Sequence, residues 1–174
     1  MELIRAMKNE FSDIYGEMTR AFPREELREP DDALETLDDP LFRVYHTVRD
    51  GKRIGFITLW ELDGFFFAEH FVTYGEHRGR GYGAEVIELL KKKFGNIVLE
   101  CEHPDTPLAK RRLAFYERCG FKRNSYPYAQ PSYRAGEAGV PLVLMSCPET
   151  LKNVTEVIRT IYKAVYHKDF DLEA

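Results

Sequence analysis

Cysteine is scarce in this 174-residue chain: Cys101, Cys119 and Cys147 are odd in number and lack metal-ligand spacing, so the pattern holds neither a disulfide framework nor a zinc motif. No long apolar run occurs either. The densest, Phe65 to Ala68, falls far short of the ~20 residues a membrane helix needs, and no apolar signal segment opens the N-terminus. A reducing cytoplasm without a membrane partner is the expected setting. Positive charge is not in excess: the formal net charge is -4, which gives no electrostatic case for nonspecific nucleic-acid binding. Repeats, low-complexity tracts and linkers are also lacking. At 44% hydrophobic, the chain is long enough for one domain over 1–174, burying close to ~70% of its unfolded surface.

What the chain does have is Arg78-Gly79-Arg80-Gly81-Tyr82-Gly83-Ala84, between an apolar strand-like run and an amphipathic helix. Glycines at alternate positions allow tight turning, positive φ and close approach of a ligand to bare backbone. Val86, Ile87, Leu89, Leu90 and Phe94 then recur at helical spacing, Glu88 and Lys92 form an i,i+4 pair, and Gly95 is a natural stop. The loop thus opens a helix, whose free N–H groups and partial positive charge suit a pyrophosphate, with Arg78 and Arg80 able to add charge. A Gly-rich turn with two solvated arginines is the alternative. A P-loop is excluded, because no Lys-Ser/Thr step follows; a dinucleotide loop would find its glycines one residue short.

The remaining elements read as a mixed sheet. Glu2 to Arg5 is a strand, Glu10 to Ala21 a helix, and Asp31 or Asp32 caps a short second helix ended by Pro40. Phe42 to Val48 and Ile54 to Leu62 flank Arg49-Asp50-Gly51-Lys52, a hairpin cue, and Asp63-Gly64 leads into Phe65 to Thr73. After this antiparallel meander, the loop, helix and strand Ile97 to Glu102 add a parallel crossover. Thr106 caps the next helix with Pro107 at its first position. Val140 to Cys147 is the last strand.

Arg78, Gly81 and Gly83 fit Arg/Gln-x-x-Gly-x-Gly/Ala without a gap, and Leu113-Ala114-Phe115-Tyr116-Glu117-Arg118-Cys119-Gly120-Phe121 supplies a helix ending in Tyr-x-x-x-Gly-Phe. With these two ordered motifs the chain resembles the GNAT superfamily of N-acetyltransferases over roughly Phe42 to Cys147. The resemblance implies an α/β chain of the α+β type, with a mixed, mostly antiparallel central sheet flanked by helices. It also implies acetyl-CoA as co-substrate with no metal, and a primary amine of a small molecule or peptide as acceptor. A noncatalytic acyl-CoA-binding module is the rival reading.

The implied chemistry sets three tasks. A donor must meet the thioester oxygen; counting back from Arg78 places Phe71, Val72 and Thr73 on a splayed strand with Phe71 N–H as that donor, although the three also read as ordinary strand. An acid must protonate the departing thiolate, and Tyr116 matches the family tyrosine, its bland alternative being packing beside Leu113 and Phe115. A base must take the amine's proton. Glu69, amid Phe65, Phe66, Phe67 and Phe71, is expected to have its pKa raised by desolvation; otherwise it is a rim carboxylate, and Glu100 is a contender. Strand alternation sends His70 to the face opposite Glu69. The expected cofactor-binding set is therefore Phe71, Val72, Thr73, Arg78, Gly79, Arg80, Gly81, Tyr82, Gly83 and Ala84, with Tyr116 and Glu69 catalytic.

The acceptor side is less defined. From Arg24 to Asp39, eight acids against two arginines give a local balance of -6, which would attract a cationic amine or form a solvated helix face. Tyr126, Tyr128 and Tyr133 offer a pocket wall or a packed loop. Two positions depart from the family pattern: Ala109 and Arg112 stand where an Asn and an Ala are usual, and Lys110, Arg111 and Arg112 could meet CoA phosphates instead. An extra C-terminal helix, about 148–168, carries Leu151, Val154, Val157, Ile158, Ile161, Tyr162 and Val165 on one stripe. That stripe packs on its own sheet or forms a homodimer contact.

Overall fold

Asp50 and Gly51 both take positive φ, 50° and 72°, the two-residue turn whose twist suits antiparallel strands. It joins β2 (Phe42–Arg49) to β3 (Lys52–Leu62), with Arg49 opposite Lys52. The computed structural model describes residues 1–170; Asp171 to Ala174, the end of the domain expected over 1–174, lie outside the described residues. Across the meander, β4 (Phe65–Thr73) follows β3 through Gly64 at φ 80°, and β1 (Glu2–Arg5) pairs with the outer side of β2.

The crossover forms as expected. Helix α3 (Tyr82–Phe94) leads to β5 (Ile97–Glu102), parallel to β4, and every other pairing in the sheet is antiparallel. Helix α4 (Pro107–Arg118) begins at Thr106, whose Oγ1 accepts the Ala109 N–H at 3.0 Å. The short strands β6 (Lys122–Arg123) and β7 (Tyr128–Gln130) both pair with β8 (Val140–Cys147), completing the order β1-β2-β3-β4-β5-β8-β6. The result is the mixed, mostly antiparallel sheet flanked by helices that the motifs imply.

Two apolar cores lie on opposite faces of the sheet. One packs α1 (Phe11–Ala21), α2 (Pro30–Thr36) and α5 (Val154–Val165) on Phe56, Trp60 and Phe67; the other packs α3 and α4 on Ile57, Leu59 and Leu99. Helix α5 starts and ends inside its expected range, and Ile158, Ile161 and Val165 are at most 1% exposed. These three residues of its stripe pack on its own sheet, while Leu151, Val154, Val157 and Tyr162 are half-buried. Helix α2 opens with Pro30 at its first position, where a missing N–H costs nothing. Asp31 and Asp32 therefore sit in its first turn instead of capping it. On α3, Glu88 pairs with Lys91 at 2.6 Å, one residue before the expected Lys92. No helix among the described residues is long and apolar enough to cross a membrane.

Strand β4 holds the feature that shapes the site. Thr58 pairs with His70, yet Leu59 pairs with Ala68, leaving Glu69 as an extra residue in a β-bulge. The core membership agrees: Phe65 and Phe67 share a face with Val72, which unbroken alternation forbids. Glu69 and His70 consequently point to the same face, with His70 Nδ1 3.8 Å from Glu69 Oε2. The alternation expected from sequence fails here because a single inserted residue reverses the parity of everything after it.

Candidate active site

Beyond Ala68, β4 loses its neighbour. Its pairing with β5 covers only Phe66 to Ala68, while β5 continues along β8 to Glu102. His70 N–H donates to Thr58 Oγ1 (3.0 Å) and Tyr74 N–H to the Ile54 carbonyl (2.9 Å), both toward β3. Alternation turns the Phe71 and Thr73 N–H groups the other way, into the gap where the two strands part.

The glycine loop lies at the mouth of this gap. Gly79 has φ +76° and Gly81 φ +80°, and a Cβ at either would meet nothing within 4 Å. Backbone conformation and open space together account for glycine at these two positions. Gly83 differs: its φ is not positive, and an added Cβ would lie 3.3 Å from Phe115 Cζ, so this glycine lets α4 pack closely. The Ala84 N–H turns back to the Gly81 carbonyl at 3.1 Å, whereas no bond within the described residues engages the Tyr82 or Gly83 N–H. Arg78 is held by an Nε donation to the Thr73 carbonyl at 3.0 Å.

A groove of about 830 Å³ runs along this loop, lined by Phe71, Val72, Thr73, Arg78, Gly79, Gly81, Tyr82, Gly83 and Ala84. Of the expected cofactor-binding residues only Arg80 is missing from its wall; it is exposed. Lys110 is absent too, but Arg111 and Arg112 line the groove. Four residues, Phe22, Phe71, Arg112 and Tyr116, also line a smaller cavity of about 50 Å³ between β4 and β5. Groove and cavity therefore meet at the end of the splayed strand.

Tyr116 stands at that junction. Its ring packs edge-on against Phe115 and Phe121, with centroids 5.2 Å and 5.6 Å away. Burial, together with the nearby Cys101, holds its hydroxyl above the ordinary tyrosine range, so the phenol stays protonated. The departure at Arg112 also acquires a purpose, since its guanidinium pairs with Glu102 at 2.6 Å across the cavity.

Glu69 corrects the expectation of a raised pKa. Its side chain is 2% exposed, and burial alone would push it up. Arg28 pairs with it directly, however, Trp60 Nε1 donates at 3.0 Å and the Tyr133 hydroxyl at 2.8 Å. Arg28 and these donors outweigh desolvation, leaving Glu69 below the usual carboxylate range. Arg28 gives no sequence signal beyond being one of two bases in an acidic run, and only the fold reveals its partner.

Glu100 behaves oppositely. Burial raises it to about 8, even though the Tyr128 and Tyr166 hydroxyls donate to it. Of the three tyrosines offered as a pocket wall or a packed loop, Tyr133 lines the cavity, Tyr128 is buried with its hydroxyl on Glu100 beside that of Tyr166 just after α5, and Tyr126 packs near Phe170. The acidic run is mostly a solvated face, with Glu29 paired to Arg134 and Asp38 to Lys8. Glu26 is the exception, because it enters the cavity.

Comparison with known proteins adds to this geometry. The profile of the Acetyltransferase (GNAT) family matches residues 7–121. YjbC of Bacillus subtilis (strain 168), which carries the name of an acetyltransferase, is 29% identical over 161 residues, covering 89% of this chain and 82% of YjbC. A Bacteroides thetaiotaomicron structure described as a GNAT-family acetyltransferase is 31% identical with a TM-score of 0.90, covering 97% of this chain and 100% of that one. A chimera of spermidine N-acetyltransferase SpeG from Vibrio cholerae and hSSAT shares the fold at 18% identity and TM-score 0.61, over 83% of this chain and 93% of the chimera.

Proposed function

This chain belongs to the GNAT acetyltransferase family and is an acyl-CoA-dependent acetyltransferase, and from that premise we propose that it moves the acetyl group of acetyl-CoA to a primary amine of a small molecule or peptide. The observation that carries the proposal is the meeting of the loop-lined groove with the inner cavity at Tyr116 and Phe71. A phosphate-bearing carrier held along the one would present its acyl end to the other.

The residues present fit such a carrier. Tyr82 and Gly83 offer N–H groups at a helix N-terminus, Gly79 and Gly81 leave the approach open, and Arg78 adds charge. Bound there, acetyl-CoA supplies an activated acyl group. Phe71 N–H donates to the carbonyl oxygen as it gains charge, an interaction typically worth ~3 kcal/mol. Tyr116 supplies a proton to sulfur. The burial that keeps its phenol protonated also makes it a weak acid, so it serves as a relay, giving one proton to sulfur while taking one from the nitrogen that becomes an amide.

The test measures free thiol released from acetyl-CoA over a panel of amines, with thermal stability followed in parallel. The expected result is thiol release with some primary amine, and stabilisation of about 2.7 kcal/mol at a hundredfold excess over Kd. Stabilisation without release on any amine would refute the transfer.

A further inference from the structure

Four carboxylates line the cavity inside Tyr116, and three are already engaged. Glu69 is clamped by Arg28, Trp60 and Tyr133; Glu100 accepts from Tyr128 and Tyr166; Glu102 holds Arg112. The fourth, Glu26, makes no side-chain hydrogen bond or ion pair among the described residues. It stands on the single helical turn Arg24–Glu26 between α1 and α2, half-buried, on the same cavity as Phe71 and Tyr116.

The main chain beneath it is fixed. The Glu26 N–H donates to the Pro23 carbonyl at 3.1 Å. His70 Nε2 lies 3.1 Å from the Glu26 carbonyl and must be the donor, because a carbonyl only accepts. His70 reaches this far only because the bulge turns it to the same face as Glu69. The strand that offers Phe71 N–H therefore also anchors the turn that carries Glu26.

Resting on the acetyltransferase reading of this site, we propose that Glu26 is the catalytic base, taking a proton from the acceptor amine directly or through one water. The protons and bonds balance. The Glu26 carboxylate takes one proton from the ammonium, the freed lone pair forms the N–C bond, and the C–S electron pair leaves on sulfur with the Tyr116 proton. One of the two protons still on nitrogen then returns to the tyrosinate, the other staying as the amide N–H, and Glu26 loses its own to water.

The surroundings suit a base rather than an inert acid. Glu102 and Glu100 face Glu26 from β5, Arg112 and Tyr116 from α4, His70 and Glu69 from β4, and Glu25 from its own turn. Burial first, then the negative charge of Glu102 and Glu25, lift Glu26 to about 7 against the pull of Arg112. Such a group is half ionised at neutral pH, where base catalysis is most effective. Burial lowers the His70 pKa, so it adds no competing positive charge at neutral pH. Glu100, at about 8, already carries its proton at pH 7. Glu69 is ionised, but Arg28 makes it too weak a base.

The experiment compares wild type with Glu26→Gln, and with Glu69→Gln as a control, in three readouts: thiol release against pH, acetyl-CoA Kd, and carboxyl-carbon NMR of the unliganded protein. For Glu26→Gln, kcat/KM for the amine should fall by roughly 10²-fold at pH 7, recovering as pH rises and the amine deprotonates unaided. The Kd should stay unchanged. One carboxyl resonance titrating near 7 should vanish from the unliganded spectrum of this variant. Wild-type turnover in Glu26→Gln, or loss of the rise in rate through pH 7 only in Glu69→Gln, overturns the proposal, as does a Glu26 carbon titrating at an ordinary carboxylate pH. A wild type that releases no thiol with any amine sinks the acetyl-transfer reading and this inference together. Normal wild-type release with an unaffected Glu26→Gln sinks the inference alone.

Discussion

The guanidinium of Arg28 lies 4.5 Å over the Tyr133 ring while pairing with Glu69, whose side chain is 2% exposed. A buried pair of this kind is costly to break from one side, since the surviving charge is left without a partner. Glu69→Leu should therefore lower stability by about 3–5 kcal/mol, and Arg28→Met in the same chain should restore most of the loss. Urea midpoints at constant slope measure both. If the double variant proves no better than Glu69→Leu, the pair is not what stabilises this region.

Gly81 opens α3 at φ +80°, a conformation that costs a branched residue about 1–3 kcal/mol. No neighbour blocks its Cβ, so Gly81→Val should still fold. Its acetyl-CoA Kd should rise tenfold or more, because the side chain projects into the groove. Gly83→Ala should act instead on stability, through the 3.3 Å contact with Phe115. Equilibrium titration and thermal melts separate the two, and an unchanged Kd in Gly81→Val would remove that residue from the cofactor site.

Tyr116→Phe deletes a hydroxyl that makes no hydrogen bond among the described residues and leaves the packing with Phe115 and Phe121 intact. Its thermal midpoint and acetyl-CoA Kd should match wild type. Its kcat should fall roughly 10²-fold if the phenol relays the proton. Full kcat would reduce Tyr116 to a packing residue.

Glu100 predicts how stability varies with pH. Its folded pKa of about 8 lies above the ordinary carboxylate value, so between about 4.5 and 8 the folded state holds a proton that the unfolded state has released. Its contribution is fully present below the lower pH and is lost as pH rises through 8. Glu69, shifted downward, runs the other way: its contribution is lost only as pH falls through its lowered pKa. Stability measured from pH 5 to 9 should therefore decline less in Glu100→Gln than in wild type. Equal slopes would mean that Glu100 is not protonated in the folded protein.

Much of the scaffold was legible because its signals are local. Asp50-Gly51 reads as a hairpin since few other dipeptides take two positive φ values, Thr106-Pro107 as a helix start, and Gly95 as a stop; each sits where expected. Gly81 and Gly83 were equally legible as a motif, but their reasons differ: one needs φ +80°, the other makes room for Phe115. Pro30 displaced Asp31 and Asp32 from the cap because its fixed φ suits the first helical position better than theirs suits the second. Strands β6 and β7, of two and three residues, were too short to show a period and exist because β8 offers them an edge.

By itself, then, the sequence determined the order of elements, the parallel crossover and the glycine-rich helix start, all set by periodicity and backbone preference within a few residues. Tertiary structure alone decided the chemistry of the cavity. The bulge at Glu69 depends on the register against β3, Arg28 meets Glu69 across 41 positions of chain, and Glu26 reaches the site only because His70 anchors its turn. Whether a carboxylate is an ion-pair partner, a stored acid or a base is fixed by burial and by what faces it, and both arise only when distant segments come together.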